Sequence, residues 1–176
     1  NGPGISEVFL DNEVSANDRA LQAIREADAI LLGPGDLYTS VIPNLLVQEV
    51  SDAIRDTRSP VIYACNLMTK LGETAGYLAS KFASELVRYI GARKLDYLLV
   101  NSTKFTPDVL DVYAAEDAQP VELDNEAAEK FAYEILESDL AHIDGLIVRH
   151  HSERLAGIVM AVIEQPVKNQ LSTGLE

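Results

Sequence analysis

The chain of 176 residues has a single cysteine, Cys65, so no internal disulfide framework can hold it. A lone thiol fits a reducing, cytoplasmic setting best. No apolar run approaches the roughly 20 residues that cross a bilayer, and no secretory signal pattern is visible, so membrane insertion is not expected. Basic residues are scarce: 14 Lys and Arg stand against 28 Asp and Glu, a net charge of −14. Nucleic acid polymers and acidic lipid surfaces are bound chiefly through Lys and Arg, so neither suits this surface. A small anionic ligand remains compatible with it. It needs a local site of backbone N–H groups or a few basic side chains set against the overall field. The P-loop pattern G-x-x-x-x-G-K-[ST] and the dinucleotide pattern G-x-G-x-x-G are both missing. Metal-ligand spacing is missing too. His150 and His151 are adjacent at a strand exit and point apart, His142 lies several residues away, and no second cysteine exists. The first residue is Asn1 rather than Met, which reads as a piece of a longer or processed protein.

What is present is an ordinary globular composition, 47% hydrophobic and 24% charged, in a length that suits one domain or most of one. Strand-like apolar runs alternate with helical patterns. Glu7–Leu10 is a short strand candidate. Asn17–Ala27 carries Ala20, Leu21, Ile24 and Ala27 on one helical face. Ala29–Gly33 is a continuous apolar run, as expected of a parallel strand buried on both sides. Asn44–Arg55 reads as a helix with Pro43 near its first turn. Val61–Cys65 and Asp96–Val100 are the next strands. Between them Thr74–Ile90 reads as one long helix capped by Thr74 and stopped by Gly91. Asn101–Tyr113 reads as loop with a helical turn after Pro107, and Pro120–Leu123 as a weak strand. A helix capped by Asp124 or Asn125 is expected through Leu136, with Glu134–Asp139 as an exposed acidic helix face. Leu146–Val148 is the last strand, and Ser152 caps a final helix through Ile163. The fold class expected is α/β, doubly wound and Rossmann-like, a mostly parallel sheet with helices on both faces.

In such sheets ligands bind beyond the carboxyl ends of the strands. Two polar loops lie just past such ends. Gly33–Asn44 (GPGDLYTSVIPN) combines two glycines, which permit unusual backbone angles and close approach, with the hydroxyls of Thr39 and Ser40 and the amide of Asn44. Its N–H groups, with a helix start behind them, can form an anion nest. Tyr38 either stacks on a base or packs as a lid. Asp36 is the awkward member, a carboxylate in a loop meant for phosphate. The second loop, Asn66–Thr74 (NLMTKLGET), places Asn66 and Thr69 at the next strand end. Cys65 reads as a small buried hydrophobe. Glu73 reads as either a general base or a first-turn acid favoured by a helix dipole. Asp96 and Asp111 read as solvated or capping.

GPGDLYTSVIPNLLV, then YACNLMTKLGET followed by Gly76–Tyr77, then IVRHHSERLAGIV together resemble the gluconeogenesis factor (YvcK-type) branch of the 2-phospho-L-lactate transferase (CofD-like) family. The likeness runs from about Ile5 to Ile163. It makes residues 1–164 the C-terminal part of a CofD-like domain and 165–176 a tail. The glycine-rich opening loop and Asp-Asp motif of the family are not in this stretch. The resemblance implies a Rossmann-like fold and a nucleotide or UDP-sugar ligand in the strand-end cleft. It implies a regulatory role in carbon flux, cell shape and cell-wall precursor synthesis in bacteria, without an established catalytic activity. The alternative it implies is a transferase moving a phospholactyl group from a nucleotide diphospho-donor to a deazaflavin alcohol, and only that reading brings in magnesium. Carried over by position, the ligand-binding residues are Gly33, Pro34, Gly35, Leu37, Tyr38, Thr39, Ser40, Asn44, Asn66, Thr69 and Arg149, the last as a diphosphate partner. Lys70-Leu71 and His151-Ser152 depart from the family's commoner Gln-Pro and Asp-Pro. A sheet edge left open by the absent part would leave a homo-oligomer open as well.

Overall fold

The computed structural model describes residues 4–91, 95–124 and 133–164. In chain order the elements are α1 (Asp18–Glu26), β1 (Ile30–Leu32), a π-helical turn (Leu37–Val41), α2 (Ile42–Leu45), α3 (Gln48–Asp56), β2 (Val61–Ala64), α4 (Ala79–Ile90), β3 (Tyr97–Asn101), α5 (Pro107–Ala114), β4 (Glu134–Ser138), β5 (Ala141–Asp144), β6 (Ile147–His150) and α6 (Ser152–Glu164). β1 to β4 form one parallel sheet in the order of the chain, and β5–β6 form a separate antiparallel hairpin.

Side-chain alternation along the strands divides the core in two. In β2, Val61 and Tyr63 face one side, where Phe82, Leu86 and Ile90 of α4 and Ile42, Leu45 and Ile54 of α2 and α3 meet them. Ile62 and Ala64 face the other, against Leu155 and Val162 of α6 and the hairpin's Ala141. All four β2 residues are buried. A strand covered on both sides has no solvent face to mark with polar residues, which is why the sequence shows an unbroken apolar run there. The architecture is thus the doubly wound, Rossmann-like α/β arrangement, with helices on both faces of a parallel sheet.

Local chemistry sets several boundaries. Asn17 caps α1 by accepting from the Arg19 N–H at 2.9 Å. Gly91, at φ 92°, ends α4 with its N–H on the Val87 carbonyl. Asp96 is a cap, though for a strand: its Oδ2 accepts the Val61 N–H at 2.8 Å.

Other expectations are corrected. No strand forms over Glu7–Leu10. Ile5 and Val8 rest on the core, while Phe9 stays 76% exposed. The expected helix Asn44–Arg55 is broken after Leu45 and restarts at Gln48. The helix expected from Thr74 begins only at Ala79, because Thr74 spends its hydroxyl on the Lys70 N–H, closing a loop. α4 is capped from a distance instead: Asp124 accepts the Ser80 N–H at 3.1 Å and also binds its hydroxyl. Asp124 is a cap, but for a helix 44 residues earlier in the chain. Pro120–Leu123 forms no strand, only an isolated bridge from Pro120 to Met68.

The largest correction is Glu134–Asp139. It is no helix face: Glu134–Ser138 pairs in parallel with β3, Tyr97 opposite Glu134 and Asn101 opposite Ser138. Ile135 packs on one core cluster and its neighbour Leu136 on the other, a two-residue period that only a strand allows. The earlier portion of that expected helix, 125–132, lies outside the described residues. The strand expected at Leu146–Val148 is β6, and its partner β5 was not foreseen. α6 starts at Ser152 itself, one residue earlier than a Ser152 cap requires, and the cap is His151, whose carbonyl accepts from Leu155 N–H and whose Nδ1 lies 3.4 Å from the Arg154 N–H.

Candidate functional site: two laced loops at the strand ends

The parallel register brings the exits of β1 and β2 side by side, with Leu32 opposite Tyr63. The two loops predicted to hold a ligand therefore sit together. Side chains then lace them. Asn66 Nδ2 donates to the Gly35 carbonyl at 3.1 Å. Lys70 Nζ lies 2.7 Å from Asp36 Oδ2 and 2.7 Å from Glu73 Oε1. These bonds hold the Lys70 ammonium above its usual range, Asp36 contributing most. The carboxylate that looked misplaced in a phosphate loop thus has its cation, supplied by the departure at position 70. Glu73 serves the same bridge, and α4 begins well after it, so it is not a first-turn acid.

Within the first loop Gly33 has φ +80°, and a Cβ there would lie 3.1 Å from the Ala64 carbonyl oxygen. Only glycine lets β1 turn out this close to β2. The Asp36 carbonyl accepts the Ser40 and Val41 N–H groups, opening the π-helical turn. The N–H groups ahead of them in that first turn, on Leu37, Tyr38 and Thr39, have no intrahelical acceptor by geometry. π-helical segments are rare and concentrate at functional sites.

The predicted residues differ in exposure. Pro34, Thr39, Ser40 and Asn44 are exposed at the rim, and Asn44 Nδ2 donates to the Ser40 carbonyl at 2.6 Å. Leu37 and Tyr38 are buried at 1% and 3% exposure. The Tyr38 hydroxyl meets that of Tyr77 at 2.9 Å, and burial first, then that bond, pushes its pKa up. Their contribution to the site is through the backbone. Thr69 is buried as well, its Oγ1 accepting the Gln119 N–H at 3.0 Å, so it anchors the second loop. Arg149 is exposed on β6 opposite His142, without a hydrogen bond or ion pair among the described residues.

The ring that reaches the strand ends belongs to the next residue, His150, whose Nε2 donates to the Cys65 carbonyl at 3.1 Å. Burial holds the His150 pKa below its ordinary value, partly offset by that bond. Cys65 is fully buried, which raises its thiol pKa far above the reactive range, so it is the small hydrophobe expected. Residue-by-residue reading missed the third strand exit. There Asn101 Oδ1 accepts the Leu140 N–H at 3.0 Å, and Thr103 bonds Asp139, which also pairs with Arg154. The signal was available: Asn101-Ser102-Thr103 follows an apolar run just as the first two loops do. No cluster of three or more His, Cys, Asp or Glu suited to a metal occurs among the described residues. No helix among them is long and apolar enough to cross a membrane.

The fold finds its counterpart in known proteins. The family described as 2-phospho-L-lactate transferase CofD matches residues 1–141. The chain belongs to the CofD family. A Thermotoga maritima relative that carries the gluconeogenesis-factor name is 42% identical over 165 residues, covering 90% of this chain and 51% of the relative. The gluconeogenesis factor of Bacillus subtilis is 32% identical over 165 residues, covering 93% and 52%. A crystal structure of a UPF0052 family member from Bacillus halodurans superposes with a TM-score of 0.87 at 32% identity, covering 90% of this chain and 52% of that one. The chain therefore spans about half the length of the relatives it matches, and the two relatives described carry gluconeogenesis-factor names.

Proposed function

We propose that this CofD-family chain forms one wall of a nucleotide-sugar site and acts as a regulator of the gluconeogenesis-factor type, binding a UDP-sugar and tied to carbon flux, cell shape and the supply of cell-wall precursors. The observation that carries the reading is the lacing of two polar loops at adjacent strand ends through Asn66 to Gly35 and Lys70 to Asp36. That lacing fixes a glycine-rich backbone at the place where α/β sheets bind nucleotides. The N–H groups opening the π-helical turn suit a diphosphate, and Lys70 offsets the Asp36 and Glu73 carboxylates that would otherwise repel it. The gluconeogenesis-factor names of the relatives support the physiological class.

The test is calorimetric titration of the full chain with UDP-N-acetylglucosamine, together with thermal shift. Ligand at one hundred times its dissociation constant should stabilise the fold by about 2.7 kcal/mol. No heat and no shift at millimolar ligand would reject the reading. The family description itself favours one alternative, a phospholactyl transferase. Formation of a phosphodiester from a deazaflavin alcohol and an activated phospholactate donor, with magnesium present, would establish that alternative instead.

A further inference from the structure

Behind the second loop lies a groove of about 550 Å³ that the strand-end site does not use. Its walls are Leu71, Gly72, Glu73 and Tyr77 on one side and Asp117 and Gln119, past the end of α5, on the other. The two sides are held in register by Thr69, which bonds Gln119 through both its N–H and its hydroxyl. The volume falls within the range of small-molecule pockets, roughly 300–1,000 Å³.

The lining says what would fit. Glu73 and Asp117 put two carboxylates on the groove in a chain of net charge −14, which disfavours a phosphate there. Glu73 uses one oxygen, Oε1, on Lys70. The side-chain groups of Asp117 and Gln119 have no hydrogen-bond partner among the described residues. Gly72 and Gly76 have φ +77° and +74°, and a Cβ on either would meet nothing within 4 Å, so bare backbone borders open space. Apolar surface is interleaved, with Leu71 49% exposed. Carboxylate and amide groups alternating with apolar patches match a neutral polyol, which presents hydroxyls on its edges and C–H groups on its faces. A second feature fixes its relation to the loop site. Glu73 on the groove and Asp36 on the first loop are bridged by one ammonium, Lys70, at 2.7 Å from each.

We infer that the groove is a sugar subsite, which rests on the nucleotide-sugar reading above. The diphosphate lies on the Gly33–Asn44 loop, Lys70 marks the junction, and the sugar occupies the groove between Glu73 and Gln119. Amide spectra of the full chain, titrated separately with UDP and with free N-acetylglucosamine, test it. The free sugar should shift the amides of Gly72, Gly76 and Ala118, and UDP should shift those of Gly35 to Ser40. Gln119→Ala, at an exposed position, should weaken UDP-N-acetylglucosamine about tenfold, the loss of one strong hydrogen bond, and leave UDP affinity unchanged. Ala118→Trp, which fills the groove, should abolish the difference between the two ligands. UDP shifts at the loop without any sugar shift in the groove would overturn the subsite and spare the nucleotide reading. Sugar shifts in the groove without UDP binding would establish a sugar site and reject the nucleotide reading. Silence from both probes would overturn both.

Discussion

Gly33 is the residue on which the geometry of the candidate site turns, and its replacement by alanine has a calculable cost. Its φ of +80° lies where a side chain costs roughly 1–2 kcal/mol. The new Cβ would also lie 3.1 Å from the carbonyl oxygen of Ala64, which belongs to a fully buried strand and cannot swing aside like a flexible side chain. Forcing atoms into packed interior adds roughly 1–3 kcal/mol. Gly33→Ala should therefore destabilise by about 2–5 kcal/mol. Gly72 is an internal control. Its φ is +77°, yet a Cβ there meets nothing within 4 Å, so Gly72→Ala bears only the conformational part, about 1–2 kcal/mol. For a chain of this size each kcal/mol lowers Tm by roughly 2–4 °C. Calorimetric melts of the two variants should differ accordingly, with Gly33→Ala the lower by several degrees. Equal melting temperatures, or a lower one for Gly72→Ala, would refute the claim that β1 leaves the sheet through a backbone contact only glycine permits.

Other perturbations address the core, the rim and the titrating groups. Phe82 is fully buried between α4 and the sheet, so Phe82→Ala should lower stability in denaturant melts by about 3–5 kcal/mol. Lys70→Ala removes a half-exposed bridge and should change stability by less than about 1 kcal/mol, an effect that shrinks further with added salt. The pKa of His150 is lowered in the fold, so the unfolded chain binds its proton first; stability should be full above about pH 6.5 and fall as pH drops through and below that value. His150→Gln should flatten that slope in pH-dependent melts, whereas the buried, paired Glu85, whose carboxyl is held low against burial chiefly by Lys81, should show its loss only below its ordinary pKa of 4.5. Cys65 should resist thiol reagents in the native chain and react at once in denaturant, and rapid native labelling would contradict its burial.

Where local pattern carried the whole signal, the sequence was enough. α1 has its cap, its amphipathic face and its last-turn Arg25 within eleven residues, and it forms where expected. β2 announces double burial by an unbroken apolar run. Where the deciding partner is remote, local pattern misled. Ile135 and Leu136 fit a helix as well as a strand until the open edge of β3 claims them in parallel register. Thr74 is a good cap by type, but the Lys70 N–H is nearer than any helix start, and Asp124 caps α4 from another part of the chain.

The candidate site divides the same way. The loops of Gly33, Gly35 and Asn66 were legible because each follows directly on an unbroken apolar run. Tyr38 was not, because a tyrosine beside a glycine turn can face ligand or core, and only the hydroxyl of Tyr77 settles which. Sequence by itself determined the α/β class, the two loops and the family likeness, since each rests on residues close in the chain. Tertiary structure alone decided which of the predicted side chains are buried and which exposed, that Lys70 answers Asp36, and that a groove stands behind the second loop. Those depend on atoms brought together from distant segments, and short-range periodicity holds no record of that meeting.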